Sequence, residues 1–243
     1  MHSAFSISNK SAKTESKMSF FLALQATYTS IEIGLYQDER ERAYASIDKH
    51  HSNTLLINTI DKCLKEHNLE LSNLQFIAVN LGPAPFTSLR TVLASANGIA
   101  FASDCPLVGV DGLHVFAKEN QSSEINTAYL LNAFNQDVYY CLQESNSPLK
   151  TGCLQIDAFC QLPDVQKNGP WRFLGNGAVI FREKIQTALG KQARIEEIPD
   201  FSTLEGIASE AFENWKQKKS VLKHALPLYL KETHYKKSPI VTL

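Results

Sequence analysis

The chain has 243 residues, 44% hydrophobic and 20% charged, which suits one globular unit or two small lobes and excludes both a mini-protein and a string of large domains. Its 24 Lys+Arg balance 25 Asp+Glu for a net charge of −1, so no overall basic field holds nucleic acid, and any RNA contact must be local or made through a partner. The longest apolar runs, at 20–24 and 76–79, are strand-sized and far below the roughly 20 residues that cross a bilayer. A soluble, cytoplasmic chain with no membrane contact is expected.

Residues 1–17 are rich in Ser and Lys and lack the apolar core of a secretory signal; they read as a disordered leader, with Met18 as a second candidate start. From Phe20 an apolar run leads into a polar turn at 25–29, and Ile31, Ile33 and Leu35 then alternate with Glu32, Gly34 and Tyr36 as in a strand. A third strand is expected over 42–47. Three strands in such quick succession form an antiparallel meander, because parallel neighbours need a longer crossover. Leu56, Ile57, Ile60 and Leu64 then mark one face of a helix ending near His67. A buried strand follows at 76–81.

Gly82-Pro83-Ala84-Pro85-Phe86 cannot be helical, since each proline restricts the residue before it. Thr87 or Ser88 is expected to cap a helix running to about Ser103, followed by a strand at 106–110 and a short helix at 113–119. Strands at 127–134 and 138–143 open the second half. It continues through an irregular stretch to Pro170, a strand at 171–174, a Gly175-Asn176-Gly177 loop and a helix over 178–189. Ser202-Thr203-Leu204-Glu205 matches a capping box, its carboxylate reaching back to the cap amide of a last helix. The resulting fold class is α/β, two-lobed and ribonuclease H-like with mixed sheets, with lobes over 18–121 and 122–243 hinged near 120–126; the final helix is free to pack back on the first lobe.

A nucleotide-clamping lobe needs a carboxylate for magnesium in its first turn, but here Gln25 is neutral and the turn has no glycine. Thr27 and Thr29 offer hydroxyls only, so an ordinary polar hairpin turn is the simpler reading. The prolines of 82–86 remove amide donors, and the segment reads as a rigid elbow rather than an anion loop. The following helix carries small residues every fourth position, Ala94, Gly98 and Ala102, which serve equally well for packing within the lobe or for a helix-on-helix subunit contact. Gly98 costs about 1 kcal/mol relative to alanine, so a tight contact should compensate.

Seven histidines include no metal-binding pair; His51, before the first helix, reads as a local structural residue. Serines lack a G-x-S-x-G context. The five cysteines are odd in number with no C-x-x-C, and read as reduced, mostly buried thiols. Asp111 and Asp137 are the best-placed lone carboxylates, although both also suit turns. The basic segment 231–237 reads mainly as a solvated terminus. No catalytic residue, metal site or cofactor is assigned.

In order along the chain come the 20–24 run with its Thr/Ser-rich turn, His51-Ser52, Gly82-Pro83-x-x-Phe86-Thr87-x-Leu89-Arg90, Gly175-Asn176-Gly177-Ala178 and Pro227-Leu228-Tyr229-Leu230. Together these resemble the TsaB (YeaZ) family of tRNA threonylcarbamoyladenosine biosynthesis proteins. The resemblance implies a fold of the acetate kinase, Hsp70 and actin superfamily. It also implies a non-catalytic partner of TsaD, the subunit that makes N6-threonylcarbamoyladenosine beside the anticodon of tRNAs reading codons that start with adenine. TsaE, an ATPase, joins the assembly, tRNA is met mainly through the complex, and a homodimer can form. The contact would use the helices at about 52–67 and 87–103. The expected interface residues are Leu56, Ile60, Leu89, Arg90, Ala94, Gly98 and Ala102, with His51, Gly82, Pro83, Phe86 and Thr87 as the structural motif.

The sequence departs from the family at Gln25, where Asp is usual, at Ala84, Pro85 and Ser88, where Gly, Ser and Gly are usual, and at Asn132-Ala133-Phe134, where Asp-Ala-Arg is expected. The alternative is a free-standing ATP-dependent small-molecule kinase or peptidase of the same superfamily.

Overall fold

The computed structural model describes residues 19–144, 147–197 and 199–231. The leader at 1–17, Met18 and the basic segment beyond Lys231 lie outside the described residues.

Strands β1 (Phe20–Ala26), β2 (Ser30–Gln37) and β3 (Arg40–Asp48) form the antiparallel meander. Helix α1 (Ser52–Glu66) crosses to β4 (Leu74–Asn80), parallel to β1, and α2 (Phe86–Ser103) crosses to β5 (Leu107–Val110), parallel to β4. The apolar run of β1 hides a period of two: Leu22, Leu24 and Ala26 point to one face, Phe21 and Ala23 to the other, and both faces are buried. In β4, Ile77 and Val79 join the first set while Phe76 and Ala78 join the second. Helices α1 and α2 cover the first face through Leu56, Ile60, Leu89, Val92 and Ala96. The opposite face is covered from far along the chain by α8 (Leu204–Lys216), through Leu204, Ile207, Ala208, Ala211 and Phe212. Phe21 stacks between Phe76 at 4.4 Å and Phe212 at 5.7 Å.

Helix α3 (Gly112–Glu119) sits between the sheets, with Leu113 and Phe116 against Tyr129, Leu131 and Leu174. The second sheet is built from β6 (Asn126–Asn132), β7 (Asp137–Gln143), β8 (Lys150–Gln155), β9 (Trp171–Leu174) and β10 (Ala193–Ile195). Its order, β8-β7-β6-β9-β10, repeats the β3-β2-β1-β4-β5 order of the first sheet, which a short strand β11 (Val221–Leu222) extends beside β5. Each lobe is thus a meander followed by two parallel strands.

Several expectations are corrected here. The stretch before Pro170 is not irregular: it holds β8, α4 (Ile156–Cys160) and α5 (Pro163–Lys167). β8 is only half-buried, so it gives no apolar signal, and α4 and α5 are too short for a helical period. The helix expected over 178–189 is two, α6 (Asn176–Ile180) and α7 (Arg182–Leu189), broken at Phe181, whose ring turns into the second core. The capping box shifts by one residue. Thr203 caps α8, accepting from Gly206 N at 2.9 Å, and its own amide donates at 3.1 Å to Glu119 of α3, not to Glu205. A carboxylate from another helix has replaced the local one.

Gly175 begins α6 with φ of +100°, and a side chain there would overlap the Leu130 carbonyl oxygen of β6. We expect Gly175→Ala to cost more than about 2 kcal/mol, because the backbone conformation and the close approach both exclude Cβ. Urea unfolding of the two chains measures it, and an unchanged midpoint would refute the argument.

Candidate functional site

At the carboxyl end of β1, Gln25 is fully buried and bonded at every polar atom. Its Nε2 donates to Glu32 Oε2 at 2.6 Å and to the Ser202 carbonyl at 3.2 Å, while Oε1 accepts from Asn80 Nδ2 at 3.1 Å. Asn80 Oδ1 in turn accepts from Gly82 N at 2.8 Å. A carboxylate in the place of Gln25 could not donate to Glu32 or to Ser202, so the neutral amide is what this network requires. Asn80, the residue that joins Gln25 to the elbow, carries no motif and is not singled out by sequence reasoning.

Most other polar groups along the cleft are committed too; the exception beside Gln25 is the Ser202 hydroxyl, which is buried without a hydrogen-bond partner among the described residues. Thr27 Oγ1 accepts from Ser30 N at 2.9 Å and donates to Ser30 O at 3.1 Å, closing its own turn. Tyr28 reaches across the lobes to donate to the Asn132 carbonyl at 2.7 Å, and burial holds its hydroxyl well above the ordinary tyrosine range. Asn176 Oδ1 accepts from Asn132 N at 2.9 Å, which gives the Gly175-Asn176-Gly177 loop a role in fastening α6 to β6. Asp111 caps α3, accepting from Leu113 N and His114 N at 2.9 and 3.1 Å, and Asp137 pairs with Lys231 at 2.6 Å. Among the described residues, no three or more His, Cys, Asp or Glu side chains form a group that could hold a metal ion. Burial pushes the thiols of Cys105, Cys153 and Cys160 up to about 11 and that of Cys141 up to about 12, away from thiolate chemistry.

The 82–86 elbow turns its polar groups inward. Gly82, with φ of +111°, donates to Asn80 and accepts from Gly112 N at 2.9 Å. Pro83 follows through a cis bond, and Pro85, not Thr87 or Ser88, stands at the N-cap of α2, with no side-chain cap. The pre-set proline backbone starts the helix, so Ser88 is free to be buried and the Thr87 carbonyl takes up the Thr91 hydroxyl. His51 caps α1 through its backbone carbonyl, which accepts from Leu55 N at 3.1 Å, while its side chain is exposed.

The interface residues expected from sequence divide sharply. Leu56, Ile60 and Leu89 are buried in the first core, although Ile60 also lines a groove that opens to solvent. Arg90, Ala94, Gly98 and Ala102 lie on the solvent side of α2. A Cβ at Gly98 would meet nothing within 4 Å, so the compensating contact expected for this glycine is absent from the described chain. Beside it Phe101 is 86% exposed, and Leu55 and Ile57 extend the apolar surface across α1. Sequence reasoning missed all of these except Ile57, which it placed on the inner face; the signal for Phe101 was its position three residues after Gly98 on the same side. A groove of about 900 Å³ lies beside this surface, between the C-terminal parts of α1 and α2, with Ile57, Ile60, Leu64, Leu71, Ile99 and Ala102 among its walls.

The family model for TsaD, tRNA N6-adenosine threonylcarbamoyltransferase, matches residues 45–236. The chain belongs to this family. Curated relatives carry the name tRNA threonylcarbamoyladenosine biosynthesis protein TsaB. One, from Haemophilus influenzae, is 27% identical over 123 residues, 49% of this chain and 51% of that protein, so the chain spans about half the length of this relative. Another, from Buchnera aphidicola subsp. Baizongia pistaciae, is 23% identical over 221 residues, 87% of this chain and 97% of that protein. YeaZ from Pseudomonas aeruginosa superposes with a TM-score of 0.67 at 23% identity, covering 88% of this chain and 100% of that one. A second Pseudomonas aeruginosa structure, described as similar to peptidase YeaZ, gives 0.68 at the same identity and coverage. The TsaB/YeaZ resemblance drawn from the motifs holds, and these structures share the two-lobed fold.

Gln25→Glu should destabilise the chain more at pH 8 than at pH 5. The new carboxylate beside Glu32 has a folded pKa raised by burial and like charge, so its penalty grows as pH rises through that value. Equal losses of thermal midpoint at both pH values would contradict the assignment. For the thiols, a neutral-pH disulfide-exchange reagent should label the native chain slowly at all five cysteines and rapidly in denaturant. A fast-reacting native cysteine would reopen nucleophilic chemistry.

Proposed function

We propose that this chain is a TsaB-type accessory subunit in tRNA threonylcarbamoyladenosine biosynthesis, binding a TsaD-like catalytic subunit through the solvent side of α1 and α2 and having no turnover of its own. The observation that carries the reading is the exposed surface of Leu55, Ile57, Ala94, Gly98 and Phe101, in which a mid-helix glycine leaves room for a second backbone and nothing in the described chain fills it. Small residues let two helices approach closely, and exposed aromatics of this kind serve as anchors in a partner's pocket. The commitment of Gln25, Thr27, Asp111 and Asp137 to structural bonds supports an assisting role, since each would have to be freed for magnesium-phosphate chemistry. In this reading a TsaE-like ATPase joins the same assembly, tRNA is engaged mainly through the complex, and a second copy competes for the α1/α2 face to give a homodimer.

Gly98→Leu separates stability from binding. The exposed leucine raises helix propensity, so the isolated chain should gain up to about 1 kcal/mol. The added bulk, placed where a partner's backbone would approach α2, should weaken co-purification with the TsaD-like subunit of the same organism at least tenfold. Undiminished binding would refute the placement. Threonylcarbamoyl transfer by the isolated chain supplied with threonine, bicarbonate, ATP and tRNA would refute the accessory role.

A further inference from the structure

A cavity of about 500 Å³ opens on the α8 side of the first sheet, between the 27–30 turn, β2 and β3, and the 199–205 segment that leads into α8. Its walls carry four carboxylates, Glu32, Glu41, Asp200 and Glu205, and no lysine, arginine or histidine. Lys49, outside the lining, is turned to the Tyr28 carbonyl, 3.1 Å from its Nζ. Tyr36 faces Glu41 across the β2–β3 ladder and its hydroxyl donates to Glu41 Oε2 at 3.3 Å. Tyr44 donates to Glu32 Oε1 at 2.9 Å, and with Gln25 on the other oxygen the half-buried Glu32 is a fixed charge. Burial, then the charges of Glu41, Glu205 and Glu32, hold the Tyr36 hydroxyl well above the ordinary tyrosine range, so three of the four carboxylates act on one place.

A second observation is independent of charge. Ser202, in the same wall, is 4% exposed, and its hydroxyl has no hydrogen-bond partner among the described residues. Folded chains rarely leave such a group unpaired, and a donor entering from the cavity would satisfy it. The other buried side-chain atom in this condition, Trp171 Nε1, belongs to the second core, away from the cavity. Aromatic faces complete the lining: Tyr44 is 51% exposed, and Phe201 stands edge-on to Tyr28 at 5.9 Å.

We propose that this cavity binds a guanidinium cation, with the exposed Glu41, Asp200 and Glu205 accepting from its N–H groups, a further N–H on the Ser202 hydroxyl, and its plane laid on Tyr44. Among the described residues, no three His, Cys, Asp or Glu side chains form a group that could hold a metal ion, so these carboxylates are too dispersed for a bare divalent cation and suit a larger one. An ammonium is compact and strongly hydrated, whereas a guanidinium spreads five donors in a plane, matches carboxylates and stacks on rings. A free guanidino compound and an arginine side chain of another protein share this chemistry. The cavity is on the opposite side of the first sheet from α1 and α2, so it is independent of the partner face proposed above.

The test is calorimetric titration of the full chain, in about 50 mM KCl where exposed charges are only partly screened, with agmatine, with putrescine and with an acetylated and amidated Gly-Arg-Gly peptide. Agmatine or the peptide should bind with a dissociation constant below about 1 mM. Putrescine, which has the charge of agmatine but no guanidinium, should bind at least tenfold more weakly than the better of the two. Tighter binding of agmatine assigns the site to a free guanidino compound, and tighter binding of the peptide to an arginine of a protein segment. Glu41→Gln with Glu205→Gln, both exposed, should weaken binding at least tenfold and leave co-purification with the TsaD-like subunit unchanged. Ser202→Ala should also weaken binding, while the thermal midpoint of the ligand-free chain holds or rises because an unpaired buried hydroxyl is gone. Absence of binding, equal affinity for putrescine, or wild-type affinity in either variant overturns the proposal. So does a lower midpoint for ligand-free Ser202→Ala, which would mean that the hydroxyl is already partnered.

Discussion

Strands β1 and β4 bury both of their faces, and that requirement organises the molecule. Each face needs a cover, and a chain of this topology supplies one locally and one from far away. The α1 and α2 crossovers close one side as they connect consecutive parallel strands, and α8 returns from the end of the second lobe to close the other. A crossover helix that gives one stripe to the sheet must leave the opposite stripe outside. The Leu55, Ile57, Gly98 and Phe101 surface exists because Leu56, Ile60, Leu89 and Val92 are already spent on the core.

The junction between the lobes has been closed with the chain's own polar groups. Gln25 links β1, β2, β4 and the segment leading into α8 through three side-chain bonds, and Tyr28 joins the two sheets from the next turn. Buried polar groups of this kind are costly unless every member is satisfied, and a network satisfied internally has little capacity left for a ligand. The neutral amide at position 25 supplies the donors that hold Glu32 and the Ser202 carbonyl in place. A cleft tied in this way fits the accessory role proposed above.

That outer surface is in two parts that meet along α2. On the α1 side it is apolar and open to close helix approach; on the other side the strap of residues 223–231 lies against α2, where Arg90 sits between Phe86 and Tyr229. The strap also reaches the second lobe, where Lys231 pairs with Asp137 and donates to the Ala133 carbonyl at 3.3 Å. Leu228 N donates to the Leu81 carbonyl at 2.8 Å, beside the Gly82 elbow, so the strap, the elbow and the start of α2 are one packed unit. A load on either part of the surface therefore bears on the same short segment.

By itself the sequence determined the meander, the crossovers of the first lobe, the elbow at Gly82-Pro83 and the neutral side chain at position 25, because alternation, helical spacing, proline restriction and side-chain charge are local properties. It did not show β8, β10 or the break at Phe181, where elements are too short or too evenly exposed to carry a period. Only the tertiary structure decided that Leu56, Ile60 and Leu89 face inward while Phe101 faces solvent, that Glu119 and not Glu205 holds the start of α8, and that a strap separated from α2 by over a hundred residues lies against Arg90 and Asn97. Those outcomes depend on which groups meet across long loops, and burial and partnership between distant residues leave no spacing in the chain to read.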